Sequence, residues 1–394
     1  MEEVDPRFTR VIPDLVVLAA ALLGQTLAMW WLLRRATLQA RRVAIVAGTV
    51  VSLTLVTLGF LLRFERVLQY FPGSWPIWER TMAIMWVILS LSWLAGFAML
   101  RVLSMPFFAR NAERGHSPAR RHFLVTARTA LFAAPPAVLG YGVFIERSQL
   151  VLREQKLEIP GLPADLDGVR LVQLTDIHLS PFLSKAVLER AVAMANETRA
   201  QVALVTGDLI TTRRDPLDDC LQALGGLRAD AGVFGCMGNH EVYARSQEYT
   251  EREGARRGLL FLRQAARPLR FGNATLNLAG VDYQNRRKRY LEGAEKMIVP
   301  GAFNVLLSHN PDVFRVAARQ GYPLTISGHT HGGQVRTEIL HEDLNIARFY
   351  TPYVDGVYRE GAASIFVSRG IGTIGIPVRI GAPPEVALLH LCRA

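Results

Sequence analysis

Residues 170–179 read RLVQLTDIHL, an apolar run that ends on Thr175 and is followed at once by Asp176 and His178. A short aliphatic run bounded by polar residues predicts a buried strand. An acid and an imidazole just past its end predict a site, because ligands of open α/β sheets bind outside the carboxyl ends of the strands. The design recurs four times downstream. VALVT at 202–206 leads into Gly207-Asp208, and VFGCM at 233–237 into Gly238-Asn239-His240-Glu241. NVLLS at 304–308 leads into His309, and LTIS at 324–327 into Gly328-His329-Thr330-His331-Gly332-Gly333. Five of the chain's nine histidines fall in these clusters.

Asp208 lies 32 residues after Asp176, and Asn239 lies 31 after Asp208. Each interval fits one strand–helix–strand unit, and parallel connections bring successive strand ends to the same edge. All five strand exits are therefore expected on one sheet rim. Between them, Ser184 is placed to cap a helix over 185–199, with Val187, Leu188, Ala191 and Met194 on one face. Pro311 opens a helix over 311–320. Helical patterns stop after residue 333. The runs 334–338, 356–360, 364–368 and 385–391 predict strands joined by Gly-rich turns, hence a mixed sheet packed on the first.

Residues two apart in extended chain point the same way, so Asp176 and His178 are expected to converge, and likewise His329 and His331. Gly207, Gly238, Gly328, Gly332 and Gly333 are expected to allow sharp turns and close backbone approach to a phosphate. Asp, Asn and His together suit borderline divalent metals such as Mn, Fe, Zn or Co. Two such ions a few Å apart can clamp the attacking and leaving oxygens of a phosphate ester. Taken singly, an Asp-x-His or a Gly-Asp is most often a solvated turn, and Gly-Asn-His-Glu could be a helix N-cap. All five clusters in order, each at a strand end, carry the two-metal expectation.

The first 147 residues differ in kind. Uncharged apolar runs occupy 15–33, 43–62 and 82–100. At a helical rise of 1.5 Å each covers roughly 30 Å, the depth of a bilayer core. A shorter run at 129–145, with Pro135 and Pro136 in its middle, is expected as a fourth span. Half of the residues are hydrophobic and the net charge is +11, carried almost wholly by Arg. Arg34, Arg35, Arg41 and Arg42 follow the first run, and Arg101, Arg110, Arg114, Arg120 and Arg121 follow the third. Tyr70, Trp75 and Trp78 flank the third run as an aromatic interface belt. The positive-inside rule places the Arg-dense loops in the cytoplasm. Four crossings then put both termini outside, and the C-terminal half with them: an integral membrane protein whose C-terminal domain is extracytoplasmic. Without the fourth crossing the same rule puts that domain in the cytoplasm. With the arginines assigned to topology, nucleic acid is not an expected partner. The bilayer and a phosphorylated, lipid-linked substrate are. Cysteine occurs only at 220, 236 and 392, without a CxxC, so packed thiols are expected rather than a disulfide framework. The chain thus divides into a transmembrane helical region, 1–147, and an α/β domain, 148–394.

The ordered clusters resemble the calcineurin-like metallophosphoesterase superfamily, and most of all its membrane-associated YkuE/YaeI-like bacterial branch. The likeness covers roughly 150–394 and is carried by EIPGLPADLDGVRLVQLTDIHL (158–179), SGHTHGGQV (327–335) and VSRGIGTIGIPVRIGAPPEVALLHL (367–391). It implies a two-sheet sandwich flanked by helices. The expected fold is therefore an all-α transmembrane bundle of about four helices followed by an α/β metallophosphoesterase domain. The resemblance implies that Asp176, His178 and His331 hold one metal, that Asn239, His309 and His329 hold a second, and that Asp208 bridges them. His240 matches the family's catalytic histidine, which protonates or stabilises the leaving oxygen, a task that suits an imidazole. The implied reaction is hydrolysis of a phosphodiester, pyrophosphate or phosphomonoester bond by a metal-bridging hydroxide, with two divalent ions as cofactors. The membrane tether turns the expectation toward a lipid-linked or envelope substrate.

One departure is visible. Relatives often carry an acid three residues after the Gly-Asp aspartate, where this chain has Thr211, and that bears on metal preference or affinity. Glu241 matches the acid after Gly-Asn-His. Arg213 and Arg214 either meet substrate phosphate or belong to a solvated loop. The run Arg286-Arg287-Lys288-Arg289 is expected as a solvated or lipid-facing patch. The competing function is a non-catalytic membrane receptor or scaffold that uses the domain to bind a partner. Such domains usually lose ligands, and every expected ligand is present in this sequence.

Overall fold

The computed structural model describes residues 6–62, 71, 73–109, 118–285, 289–339 and 342–394. Tyr70, Arg110, Arg114 and residues 286–288 of the basic run lie outside them. The chain forms two compact units, Met1–Gly140 and Tyr141–Ala394.

The first unit is helical: α1 (Pro6–Arg35), α2 (Gln39–Leu61), α3 (Trp75–Ala109) and α4 (Pro118–Phe144), the last running a few residues past the division. Three stretches, Gln39–Leu61, Trp75–Gly96 and Val125–Ser148, are long and apolar enough to cross a membrane. They correspond to the spans expected at 43–62, 82–100 and 129–145. The span expected at 15–33 lies in α1, whose apolar stretch, Leu18–Arg34, is shorter. Hydroxyls on these helices are turned inward. Thr49 donates to the Ile45 carbonyl at 2.8 Å and Ser90 to that of Trp86 at 2.7 Å, which keeps each donor satisfied without water. Between helices, Trp86 donates its indole N–H to Ser52, which donates to Gln25 at 2.8 Å. Such bonds hold apolar helices together where hydrophobic association is weak.

The second unit contains, among the described residues, two six-stranded sheets and a two-stranded ribbon. Its strands are β1 (Val151–Ile159), β2 (Arg170–Leu174), β3 (Val202–Thr206), β4 (Val233–Cys236), β5 (Leu259–Phe261), β6 (Ala265–Phe271), β7 (Ala274–Gly280), β8 (Phe303–Leu307), β9 (Leu324–Ser327), β10 (Arg336–Ile339), β11 (Glu342–Asn345), β12 (Gly356–Glu360), β13 (Ala363–Val367) and β14 (Glu385–Arg393). Its helices are α5 (Lys185–Glu197), α6 (Leu217–Leu224), α7 (Asn239–Ala244), α8 (Gln247–Arg256) and α9 (Phe314–Gln320). The first sheet has the order β1-β14-β2-β3-β4-β5 and the second β12-β13-β9-β8-β7-β6. β2 to β5 run parallel, as do β7, β8 and β9.

Alternation along each strand explains the layering. Leu171, Val202, Leu204 and Phe234 of the first sheet meet Leu276, Val305, Leu307 and Ile326 of the second in one buried core. Their neighbours Val172, Leu174, Ala203 and Val205 face the other way, onto Leu188, Ala191 and Val192 of α5 and Leu221 and Leu224 of α6. On the far side, Leu306 packs with Val313 and Ala317, and Ile365 and Val367 pack with Phe314. Each fully buried aliphatic side chain contributes about 1.5–3 kcal/mol relative to exposure. At the site end a polar residue enters this core: Gln173 donates to Thr206 Oγ1 at 2.6 Å and to the Ser327 carbonyl at 2.9 Å, tying the two sheets together.

The structure corrects two expectations. The five strand exits do not share one sheet: β2, β3 and β4 belong to the first, β8 and β9 to the second. Spacing of about 30 residues signals a parallel unit, but it does not say which sheet the strand joins. The run 385–391, expected in the second sheet, is β14 and pairs between β1 and β2 of the first. Ser184 stands at the N-cap of α5 without a side-chain capping bond. Pro311 opens a single 3₁₀ turn, capped by Asn310, that leads into α9.

Candidate metal centre

Each candidate side chain sits two to four residues past a strand end, where the parallel edges of both sheets meet. The convergence does not come from extended chain. Asp176, His178, Asp208, His329 and His331 have φ of 50, 48, 55, 77 and 52°, all left-handed. The alternation argument for Asp176/His178 and His329/His331 is therefore replaced by a different device: the chain coils at each ligand and folds its side chain inward. Backbone bonds fix the coils, from Asp176 N–H to the Gly207 carbonyl at 3.1 Å and from His178 N–H to that of Asp208 at 3.0 Å.

Two neighbouring groups form around one carboxylate. In the first, His331 Nε2 lies 3.4 Å from Asp176 Oδ1 and 3.2 Å from His178 Nε2. In the second, His309 Nε2 lies 3.0 Å from Asp208 Oδ2 and 3.2 Å from His329 Nδ1. Asp208 Oδ2 also lies 3.5 Å from His178 Nε2, and 4.0 Å from His240 Nε2. Asp176, His178, Asp208, Asn239, His309 and His331 are at most 5% exposed. Asn239 is the first residue of α7, and its Oδ1 is buried without a hydrogen-bond partner, as is His331 Nδ1.

Neighbouring groups aim the ring nitrogens. Thr206 O takes His309 Nδ1 at 2.7 Å, so Nε2 of that ring faces the cluster. Thr211, the departure noted in the sequence, binds two rings: its Oγ1 lies 3.0 Å from His178 Nδ1, and its carbonyl 2.6 Å from His240 Nδ1. Such outer partners set the tautomer and hold the ring. Glu241 is fully buried and accepts three backbone N–H bonds, from Asp208 at 2.9 Å, Leu209 at 2.8 Å and Gly238 at 2.8 Å, lashing the two loops together. Arg379, also fully buried, donates only to carbonyls, at 2.8 Å to Ala382 and 3.0 Å to Gly372. It folds the 369–382 segment beneath Asp176, where Gly372 N–H reaches the Asp176 carbonyl at 2.7 Å.

Gly207, Gly332 and Gly333 have left-handed φ of 88, 61 and 80°, as a turn takes, but Gly238 and Gly328 serve the site differently from the expectation. Gly238 has ordinary extended backbone, but a side chain there would run into Asp208. A side chain at Gly328 would meet Asp176 Oδ2 and Thr175. They make room for ligands rather than for a turn.

Electrostatics agree with a cation site. Burial lowers His178 to about 3 and His329 to about 4, and lowers His331 well below its usual value, so these rings stay neutral and keep their lone pairs. Burial raises Asp176 to about 6, with His309 pulling the other way. Burial also acts to lower His309, but the carboxylates of Asp208 and Asp176 outweigh it and raise that ring to about 10. Converging lone pairs that refuse protons, beside an orphaned amide oxygen, are the donor set of a borderline divalent ion. Among the described residues, three groups meet the geometric requirement: Asp176/His178/His331, His178/Asp208/His240 and Asp208/His309/His329. Arg213 and Arg214 are exposed on the loop after Thr211. Cys220 and Cys236 are buried free thiols, and Cys392 is half-exposed. Sequence reasoning did not single out Gln173, Arg379, Tyr243 or Tyr283. A lone Arg inside the apolar run IPVRIG was the available signal for Arg379.

Comparison with known proteins agrees with this geometry. The calcineurin-like phosphoesterase family matches residues 169–333. A transmembrane protein with a metallophosphoesterase domain from Danio rerio is 29% identical over 73% of this chain and 66% of its own length, so the likeness spans just under two thirds of that relative. The metallophosphoesterase YkuE of Bacillus subtilis is 25% identical over 69% of this chain and 97% of its own. A Campylobacter jejuni metallophosphoesterase is 30% identical over 60% and 61%. Residues 169–333 of this chain thus match the calcineurin-like phosphoesterases, a family of metal-dependent phosphoric ester hydrolases, and the chain also carries helices of membrane-spanning length.

Proposed function

We propose that the chain is a membrane-anchored, dinuclear-metal phosphoesterase. It cleaves phosphodiester, pyrophosphate or phosphomonoester bonds of a lipid-linked or envelope substrate on the periplasmic side. One observation carries the reading: Asp208 Oδ2 faces a histidine of each group, His309 at 3.0 Å and His178 at 3.5 Å, which supports a carboxylate shared by two ions. Asp176, His178 and His331 would hold one ion, Asn239, His309 and His329 the other, and Asp208 both. Bound there, the pair would supply Lewis acidity, neutralise phosphoryl charge and acidify a water for attack.

The remaining work belongs to the chain. Asp208 is held from both sides, its N–H by Glu241 and its Oδ1 by the His240 N–H at 2.9 Å, so the shared carboxylate cannot swing away. His240 anchors Nδ1 on the Thr211 carbonyl and presents Nε2 toward Asp208. Held in that way, it delivers a proton to the departing oxygen. Burial of the ligands keeps bulk water from the reacting atoms.

The test uses purified full-length protein with Mn²⁺ and a chromogenic phosphodiester. His240→Ala is expected to keep metal and lose rate, and Asp208→Asn to lose metal. Normal turnover in both variants would rule this site out. The receptor or scaffold reading predicts metal binding without turnover on any phosphate ester. A topology reporter fused after residue 394 tests the periplasmic side.

A further inference from the structure

Two tyrosines border the candidate centre without a role in the mechanism above. Tyr243 stands on α7 three residues after His240, its ring centroid 5.6 Å from that imidazole and steeply inclined, at 70°. It is 61% exposed, unusual placement for an aromatic ring beside a buried polar cluster. Tyr283 follows β7 on the second sheet, its ring 5.7 Å from His329 and 6.2 Å from His309. The two rings therefore flank the cluster from different elements, α7 and the loop after β7, one beside the proposed proton donor and one beside the second metal group.

Tyr283 is not on a loose loop. Its predecessor Asp282 takes a two-pronged grip from Arg263, Nε to Oδ1 and Nη2 to Oδ2 both at 2.9 Å, and Arg263 is held in turn by Glu251 of α8 at 3.1 Å. Its successor Gln284 accepts from Asn310 Nδ2 at 2.8 Å, next to His309. Val281 N–H bonds the Leu307 carbonyl at 3.2 Å. Anchors on both sides hold the backbone that carries the ring, so less of the segment has to be ordered when the ring stacks. Tyrosine faces take flat partners, and stacking on such rings tolerates any planar base.

We propose that Tyr243 and Tyr283 form a ring-binding subsite for the substituent carried by the phosphate, so that the preferred substrate bears a planar ring, a nucleobase or an aryl group, close to the phosphorus. The proposal rests on the phosphoesterase reading and adds the substrate class. Small alkyl phosphates reach the same metals without engaging either ring.

The experiment measures competitive inhibition of the full-length, Mn²⁺-loaded protein in lipid nanodiscs by phenylphosphonate, methylphosphonate and hexylphosphonate. These probes share one phosphoryl end and are not hydrolysed. The wild type is expected to bind phenylphosphonate about three- to tenfold more tightly than methylphosphonate, the range of one aromatic contact. Tyr243→Leu and Tyr283→Leu should bring that ratio to about one, while Tyr243→Phe and Tyr283→Phe preserve it. A ratio unchanged in both Leu variants overturns the subsite. Hexylphosphonate bound as tightly as phenylphosphonate by the wild type overturns its preference for rings. Failure of all three phosphonates to inhibit would instead strike the phosphoesterase reading itself, and the subsite with it.

Discussion

Glu241→Gln is the most informative single change. The wild-type carboxylate accepts from Asp208 and Gly238 with Oε2 and from Leu209 with Oε1, all at 2.8–2.9 Å and out of contact with water. A glutamine keeps the shape. Its one carbonyl oxygen can take the place of Oε2 and retain two bonds, now uncharged, at a loss of about 1 kcal/mol each. Its amide nitrogen then confronts the Leu209 N–H, donor against donor, and orphaning that buried group costs about 1–3 kcal/mol. Some of this is offset, because burial and then the Asp208 carboxylate already push the Glu241 pKa up, and the neutral amide escapes both. The lost bonds and the orphaned donor together cost about 3–5 kcal/mol, and the relief brings the net local loss below that, to a few kcal/mol. The amides of Asp208, Leu209 and Gly238 should then exchange with solvent deuterium roughly 30-fold to several-hundred-fold faster. Hydrogen–deuterium exchange mass spectrometry on peptides covering 205–211 and 236–241, compared with the wild type, reads this directly. Acceleration below threefold would mean that the carboxylate does not lash these loops together.

Three further changes probe the same centre. Gly238→Ala would place a methyl carbon 2.8 Å from Asp208 Cγ, forcing the carboxylate aside by about 1 Å against a ligand tolerance of about 0.2 Å; elemental analysis should find fewer than two metals per chain. Thr211→Val removes the partner of His178 Nδ1 while leaving the carbonyl that holds His240, so metal affinity should fall about 10- to 100-fold, measured by competition with a chelating dye. Metal binding should release a proton and tighten with pH. His309, raised to about 10 by Asp208 and Asp176 against burial, is protonated in the metal-free site at neutral pH and must deprotonate to ligate. Apparent affinity should rise by up to about tenfold per pH unit between pH 7 and 9, checked by calorimetry in buffers of different ionisation enthalpy. Because the folded-state value lies above the ordinary one, the stability His309 lends the metal-free domain is full below about 6.5 and fades as pH climbs through about 10.

What could be read from the sequence followed from chemistry concentrated at strand ends. VALVT is β3 to the residue, and the other four runs end within a residue of β2, β4, β8 and β9, because each is a short apolar stretch stopped by a turn. Asp176, His178, Asp208, His309, His329 and His331 meet in space as the clusters suggested. What escaped depends on contacts between distant parts of the chain. No local pattern distinguishes a strand of one sheet from a strand of its partner, so the division of β2, β3 and β4 from β8 and β9 was invisible. The role of Gly238 is set by Asp208, thirty residues earlier, and not by its own backbone. Arg379 spends its hydrogen bonds on carbonyls, which leave no trace in residue type. Tyr243 and Tyr283 look like any surface and loop aromatics until the histidines are placed beside them.

The left-handed backbone at Asp176, His178, Asp208, His329 and His331 narrows what evolution can try there. Apart from glycine, aspartate, asparagine and histidine are the residues that enter this conformation most readily. They are also the residues that coordinate such ions. Conformational tolerance and coordinating power thus select one short alphabet at the same positions. A mutation outside it is opposed twice, by the fold and by the chemistry, while an exchange within it, such as Asp208→Asn, is opposed by the chemistry alone and leaves the chain path untouched.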